Sequence, residues 1–396
     1  MQRTVPIIII LVLIVFFLLY YILYNSAILN QYKILSNYQP KTYTKDQHVI
    51  LLWTKFFAVP NWGLPNETVD HNYFIKQKCP KTNCIITSNR DHLNSIIDYD
   101  AILFHGAEIF PIIQPTPLER SPDQLYVFAI QESPAETKHN LKTDYDFFNL
   151  TMSYRLDSDI LWPYNGIKDI QSNIVIAPNY MPSWREPDNI NNSSNEYNEL
   201  IKLVENKNKI GAWFVSRCNV LANRIKLAYE LQKYMTIDIY GKCGNLTCPR
   251  GSPICDKLLD ENYKFYFSFE NSLCIDYVTE KLYNALKRKI VPVVFGGADY
   301  MRFAPPKSYI NAEHFDTIKD LADYLLYLDK NPSEYIKYFW WKKHYKVEIN
   351  HNTGFCQLCT FLNQPNRINR KQIYGDIENW WLGNSCRLKP KLKELH

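Results

Sequence analysis

The chain has 396 residues, 46% hydrophobic and 21% charged, with a formal net charge of +5 and a pI near 8.5. That length exceeds what one core usually serves, so two domains are expected, and the apolar content excludes a disordered chain. The 45 Lys and Arg are spread out with no dense basic block, which speaks against a nucleic-acid partner.

The first element in chain order is VPIIIILVLIVFFLLYYILY, residues 5–24, with no charge. About 20 apolar residues span a bilayer, whereas the core of a signal peptide is roughly 7–15 long. No convincing cleavage site follows. The expectation is a signal anchor: residues 1–4 as cytoplasmic tail, 5–24 as one transmembrane helix, 25–47 as stem. Arg3 and Lys33 flank it almost symmetrically, so flanking charge does not orient it.

Beyond the stem, HVILLWT (48–54), CIITSNR (84–90), DAILFHG (100–106) and LYVFAIQE (125–132) read as short buried strands, and IVIAP (174–178) as one more. They predict an α/β domain over 48–185. EPDNINNSSNEYN (186–198) has the composition of a surface loop, and a linker is placed at 186–204. After it, strands at 209–216, 236–241, 264–270 and 290–296 alternate with helical periodicity at 219–234, 276–289, 317–330 and 333–345. Such alternation predicts a second, Rossmann-like domain over 205–362, with a tail at 363–396.

No G-x-G-x-x-G, P-loop or H-E-x-x-H string occurs, which disfavours dinucleotide, nucleotide-hydrolase and zinc-protease chemistry. Three D-x-D strings do occur, including Asp157-Ser-Asp159. Such pairs hold Mn²⁺ in some sugar transferases, but three matches in one chain show how unspecific the string is. The ten cysteines include one C-x-x-C (356–359) without a companion, so disulfides are the expected use. Sequons start at Asn66, Asn149, Asn191, Asn192 and Asn245. Anchor, sequons and cysteines together predict a type II membrane protein whose bulk faces the secretory lumen.

The densest polar chemistry lies in KFYFSFENSLCIDYVTEKLYNALKRK (264–289). Ligands of open α/β sheets sit beyond the carboxyl ends of strands, against helix starts. Asp276 can cap the helix that follows. Lys281 is misplaced for the helix dipole unless it meets an anion, and Glu280 can accept from ribose hydroxyls. A plain Glu–Lys surface couple remains the other reading. Arg224 offers a planar fork suited to a diphosphate, or is an exposed helix arginine.

FYFSFENSLCIDYVTEKLYNAL, followed by VPVVFGGADYMRFAPPKSYI, resembles the donor-site signature of the α1,3-fucosyltransferase family. SYRLDSDI, CNVLANRIKLAYEL, YGKCG and FCQLC match the same pattern in the same order, so the resemblance covers roughly residues 48–362. It implies a GT-B-like α/β fold with two Rossmann-like domains facing a central cleft. It implies an inverting Golgi enzyme, catalytic part lumenal, that moves L-fucose from GDP-β-L-fucose to a hydroxyl of a GlcNAc residue in a glycan. Arg224, Asn271, Tyr277, Glu280 and Lys281 are implied on the GDP, with Tyr154 and Arg155 in the same cleft. Glu132, in Gln131-Glu132-Ser133-Pro134, is implied as the base, and His105 and Glu108 on the acceptor side. GDP-fucose is the implied donor substrate. No tightly bound cofactor and no metal ligand are expected, and stimulation by Mn²⁺ is left open. The chain departs from the family's basic acceptor-side pattern at Gly106-Ala107, so an N-acetyllactosamine antenna and the N-glycan core both stay open as acceptor. Cys79 and Cys84 are expected to pair with Cys356 and Cys359, and Cys274 to pair or stay a buried thiol. The competing readings are a metal-dependent transferase of another sugar through Asp157 and Asp159, and an anchored glycan-binding protein without turnover.

Overall fold

A computed structural model describes residues 46–108, 117, 119–137, 146–188, 194–249, 251–348, 353–365 and 373–395. The expected anchor at 5–24 and the sequons at Asn191 and Asn192 lie outside the described residues. Among the described residues, no helix is long and apolar enough to cross a membrane.

Within residues 47–396, which cluster as one unit, two sheets carry the architecture. The first contains β1 (His48–Leu52), β2 (Thr68–Val69), β3 (Cys84–Thr87), β4 (Ala101–His105), β5 (Leu125–Ile130), β6 (Leu150–Ser153) and β7 (Ile160–Leu161), in the order β2-β3-β1-β4-β5-β6-β7. Only β2, at the edge, pairs antiparallel. Every residue of β1, β4 and β5 is buried, which is why these runs, apart from the terminal His48 and His105, are apolar rather than alternating. The expected strand at 174–178 exists as β9 (Val175–Ala177) but is not part of this sheet. It pairs antiparallel with β8 (Gly166–Asp169).

The second sheet contains β10 (Lys209–Phe214), β11 (Ile237–Tyr240) and β12 (Tyr263–Phe269). A two-residue strand β13 (Leu273–Cys274) follows outside it, and β14 (Val291–Phe295) and β15 (Ile310–Asn311) complete it. Its order is β11-β10-β12-β14-β15, all parallel. In both sheets the chain departs from its first strand toward one side and later returns to the other. The reversal falls between β1 and β4 in the first sheet and between β10 and β12 in the second. Such switch points leave a crevice at the carboxyl ends of the strands.

Three boundaries differ from expectation. The supposed linker is helical from Asn195 to Glu205, because Tyr197, Leu200, Ile201 and Val204 form an apolar stripe against the second core and Ser194 caps the helix. The Thr353–Leu362 helix belongs to the first half, where Phe355, Leu358 and Leu362 join the core beneath the first sheet. Disulfides Cys79–Cys356 and Cys84–Cys359, the expected set, fasten it there. The supposed tail is also structured. The Ile377–Leu382 helix buries Trp381 in another core of the first half, and β17 (Cys386–Arg387) pairs with β13 through Cys274–Cys386. β16 (Tyr345–Glu348) returns to pair with β8.

Helix starts also shift. The 219–234 periodicity becomes a helix only at Arg224–Leu231, because Asn223 takes a left-handed conformation, φ 51°. The next begins at Glu280, not Asp276. Asp276 sits at φ 58° and accepts instead from Leu156 N–H at 3.1 Å, while Thr279 caps the Glu280–Leu286 helix. Past Pro332–Tyr335, the expected 333–345 helix continues as 3₁₀ turns over Ile336–Lys343.

Candidate active site

A cavity of about 610 Å³ opens at the carboxyl ends of β10, β11 and β12. Its aromatic floor is Phe214, Tyr240 and Tyr266. Asn271, Tyr277, Glu280 and Lys281 line one side, and the Cys248–Cys255 disulfide, Ser252 and Asp256 line another. From the first half come Glu132, two residues past β5, and Tyr164. Gly241, at φ 97°, also lines it; a Cβ there would stand 2.5 Å from the Val215 carbonyl oxygen, so the turn demands glycine.

The Glu132–Glu136 segment is keyed to the second half at three points. The Tyr277 hydroxyl donates to Glu132 Oε2 at 3.3 Å, Ser133 and Ser272 share a hydroxyl contact of 2.5 Å, and Arg217 meets Glu136 at 2.5 Å. Burial raises the pKa of the Glu132 carboxyl, against the lowering pull of Tyr277 and Lys281. A carboxylate held this way is a stronger proton acceptor than a solvated one.

Arg224, in the same lining, is buried. Its guanidinium donates to the Phe269 carbonyl at 2.7 Å and the Arg217 carbonyl at 3.0 Å, and leaves Nε unpaired. Burial lowers its pKa, opposed by Glu270. Lys281 donates to Glu270 at 3.0 Å and to Thr279 at 2.8 Å, and lies 3.5 Å from Glu280. Burial pulls its ammonium down, but Glu270 and Glu280 outweigh that, and the net shift is upward. The cavity thus brings together a basic carboxylate from one sheet and two fixed cations from the other.

Six expected site residues therefore meet: Glu132, Arg224, Asn271, Tyr277, Glu280 and Lys281. Four do not. Tyr154 is buried one layer back, its ring 5.1 Å from Tyr277 and 5.9 Å from Trp381. Arg155 turns away from the cavity. It pairs with Asp157 at 2.8 Å, donates to Ser385 at 2.9 Å, and stacks on Trp380. It ties down the C-terminal segment, a partner more than 200 residues away that no local pattern announces. His105 is 0% exposed, closed in by Phe56, Phe57 and Trp62. Glu108 sits in the turn after β4, outside the cavity lining.

Asn149 is 2% exposed between β5 and β6, where it accepts from Tyr126 N–H and Arg120, so a glycan has no room there. Asn66 and Asn245 are exposed. Asp157 and Asp159 do not converge on a shared site. Asp157 is held by Arg155, while Asp159 accepts from Thr151 and Tyr374.

The residue missed by sequence reasoning is Glu270. Almost wholly buried, it accepts from Thr279 N–H at 2.8 Å, from the Thr279 hydroxyl and from Lys281. Its signal was an acid directly after a strand rich in aromatic residues, Tyr263–Phe269. The Cys248–Cys255 bridge on the cavity rim and the Cys218–Cys243 bridge were not anticipated either.

The family described as "Fucosyltransferase, N-terminal" matches residues 45–165, and "Glycosyltransferase family 10 (fucosyltransferase) C-term" matches residues 204–380. This chain belongs to glycosyltransferase family 10, the fucosyltransferases. It is 45% identical to alpha-(1,3)-fucosyltransferase C of Drosophila melanogaster over 372 residues, 93% of this chain and 86% of that one. It is 34% identical to glycoprotein 3-alpha-L-fucosyltransferase A of the same organism, covering 91% of this chain and 65% of that one. A bovine 3-galactosyl-N-acetylglucosaminide 4-alpha-L-fucosyltransferase is 35% identical over 76% of this chain and 74% of its own. A crystal structure of an alpha1,3-fucosyltransferase with GDP-fucose aligns with 84% of this chain and 96% of its own at 14% identity and a TM-score of 0.48, too distant to carry an argument. The chain is thus a glycosyltransferase, and the two family matches fall on the two sheets that enclose the cavity.

Proposed function

We propose that this fucosyltransferase moves L-fucose from GDP-β-L-fucose to the 3-hydroxyl of a GlcNAc residue, with inversion, in a GT-B-like arrangement. The observation that carries the reading is the convergence of Glu132, Arg224 and Lys281 on one cavity. The diphosphate lies against Arg224, Lys281 and Asn271, the ribose against Glu280, and the base over the aromatic floor. Glu132 takes the proton of the acceptor hydroxyl as its oxygen bonds the anomeric carbon. The bond to the β-phosphate oxygen breaks, and the charge leaving on GDP is met by the two cations. Attack from the face opposite the leaving group gives the α-linkage. No step requires a metal, and the separate partners of Asp157 and Asp159 support that reading over a metal-dependent transferase.

A lumenal, anchored enzyme of the Golgi is part of the proposal. The pairing of all ten cysteines in five disulfides supports an oxidising compartment. The test supplies GDP-fucose with an N-acetyllactosamine glycan and an N-glycan core in one tube, and reads linkage by mass spectrometry. Fucose on the 3-hydroxyl of GlcNAc in either glycan is expected. GDP binding without transfer to either would favour a binding protein instead.

A further inference from the structure

We propose that Phe57 is a stacking platform for the acceptor glycan, holding a sugar next to the one that receives fucose. The proposal rests on the functional reading above. Phe57 and Ala58 both have positive φ, 46° and 68°. Phe56 and Val59 close the turn around them with two backbone hydrogen bonds, 2.9 and 3.0 Å. Two consecutive left-handed residues in a two-residue turn are the habit of Asn-Gly, because a Cβ is disfavoured there. Phe-Ala in that place opposes stability, and strain of this kind concentrates where a side chain must be presented.

What the turn presents is a ring. Phe57 is 49% exposed, although a phenyl group gains by burial. Its ring meets His105 edge-on at 4.8 Å and Phe56 at 4.9 Å. His105 makes no well-formed hydrogen bond through its ring. Burial drives its pKa down to about 3, with a weak opposing pull from the Lys55 backbone, so it stays neutral. It acts as an apolar buttress, and Trp62, bonded to the Thr54 carbonyl at 2.7 Å, closes the other side.

The turn follows β1 and His105 ends β4, so the ring stands at the switch point of the first sheet, where an open α/β sheet accepts ligands. The cavity described above occupies the equivalent place on the second sheet. Glu132 leaves β5 at the same carboxyl edge. β4 alone lies between β1 and β5, so the strands that carry the turn and Glu132 run about 10 Å apart. An exposed aromatic face at that remove fits the C–H face of a pyranose attached to the reacting GlcNAc.

The test is Phe57→Asn in the full-length protein, with Phe57→Trp beside it. Asn tolerates left-handed φ, so Phe57→Asn raises Tm by roughly 1–2 °C. It raises KM for the acceptor glycan about tenfold, as expected for one lost aromatic contact, with KM for GDP-fucose unchanged. Phe57→Trp keeps acceptor KM within about twofold of wild type. Glycan binding to the GDP-loaded protein is read in parallel by saturation-transfer NMR, which needs no turnover. Loss of the glycan signal in Phe57→Asn supports the platform. Equal signals, no signal from wild type, or an unchanged acceptor KM overturn it. A wild type that binds glycan through Phe57 but transfers no fucose would instead sink the functional reading and leave the platform standing.

Discussion

Glu270→Ala is the perturbation whose consequence is most fully set by the structure. The carboxylate is 1% exposed and accepts from three donors: Thr279 N–H, the Thr279 hydroxyl and Lys281. Hydrogen bonds to a charged group contribute about 1.5–3 kcal/mol each, but Glu270 itself pays a desolvation cost that offsets part of the sum. Lys281 keeps Thr279 and the more distant Glu280 as partners. A net loss of about 3–5 kcal/mol is expected, the range for breaking a buried pair. Urea unfolding at pH 7, followed by tryptophan fluorescence, measures it. Glu270→Gln keeps the volume and an acceptor for Thr279, so most of the stability returns. Lys281 then faces an uncharged partner, and kcat/KM for GDP-fucose falls about tenfold or more through its misplacement. A Glu270→Ala protein as stable as wild type, with its donor kcat/KM intact, would refute this account of how Lys281 is held.

Three further outcomes follow from the same geometry. Glu132 must be ionised to take a proton, and burial raises its pKa, so kcat/KM is lost as pH falls through a value above the usual ~4.3 of a glutamate; an acid limb at or below that value would contradict its role. Arg155→Ala lowers stability by about 2–4 kcal/mol through lost contacts to Ser385 and Trp380, yet leaves KM for GDP-fucose unchanged, and a donor defect without destabilisation would return Arg155 to the cavity. Replacing Cys274 and Cys386 together by Ser opens a 112-residue loop, worth about 4–5 kcal/mol in chain-entropy terms, and a Tm equal to wild type would show that β17 needs no covalent tie.

The strands were legible because a covered parallel sheet needs continuous apolar runs, and β1, β4, β5 and β14 are such runs. The donor wall was legible for the opposite reason: polar residues crowded at a strand end have few structural uses. What escaped is what depends on distance in sequence. Nothing around Arg155 announces Trp380, and nothing in the 353–362 helix announces that it packs under the first sheet. The start of the Glu280–Leu286 helix escaped differently. Asp276 and Thr279 are both good capping residues, and the choice fell to the left-handed backbone of Asp276 and to the Leu156 N–H, which takes up its carboxylate. Glu270 was visible as a letter in FENS, but its burial beneath Lys281 is a tertiary fact.

The measurement closest to the central claim compares wild type with Glu132→Gln, using calorimetric titration of GDP and transfer from GDP-fucose to a GlcNAc-terminated glycan. The account predicts equal GDP affinity and a loss of kcat of about 10²–10⁴-fold, because the nucleotide meets the second sheet and only the proton acceptor is gone. Transfer at the wild-type rate, or GDP binding lost along with it, would contradict the division of the cavity into a base from one sheet and a donor wall from the other.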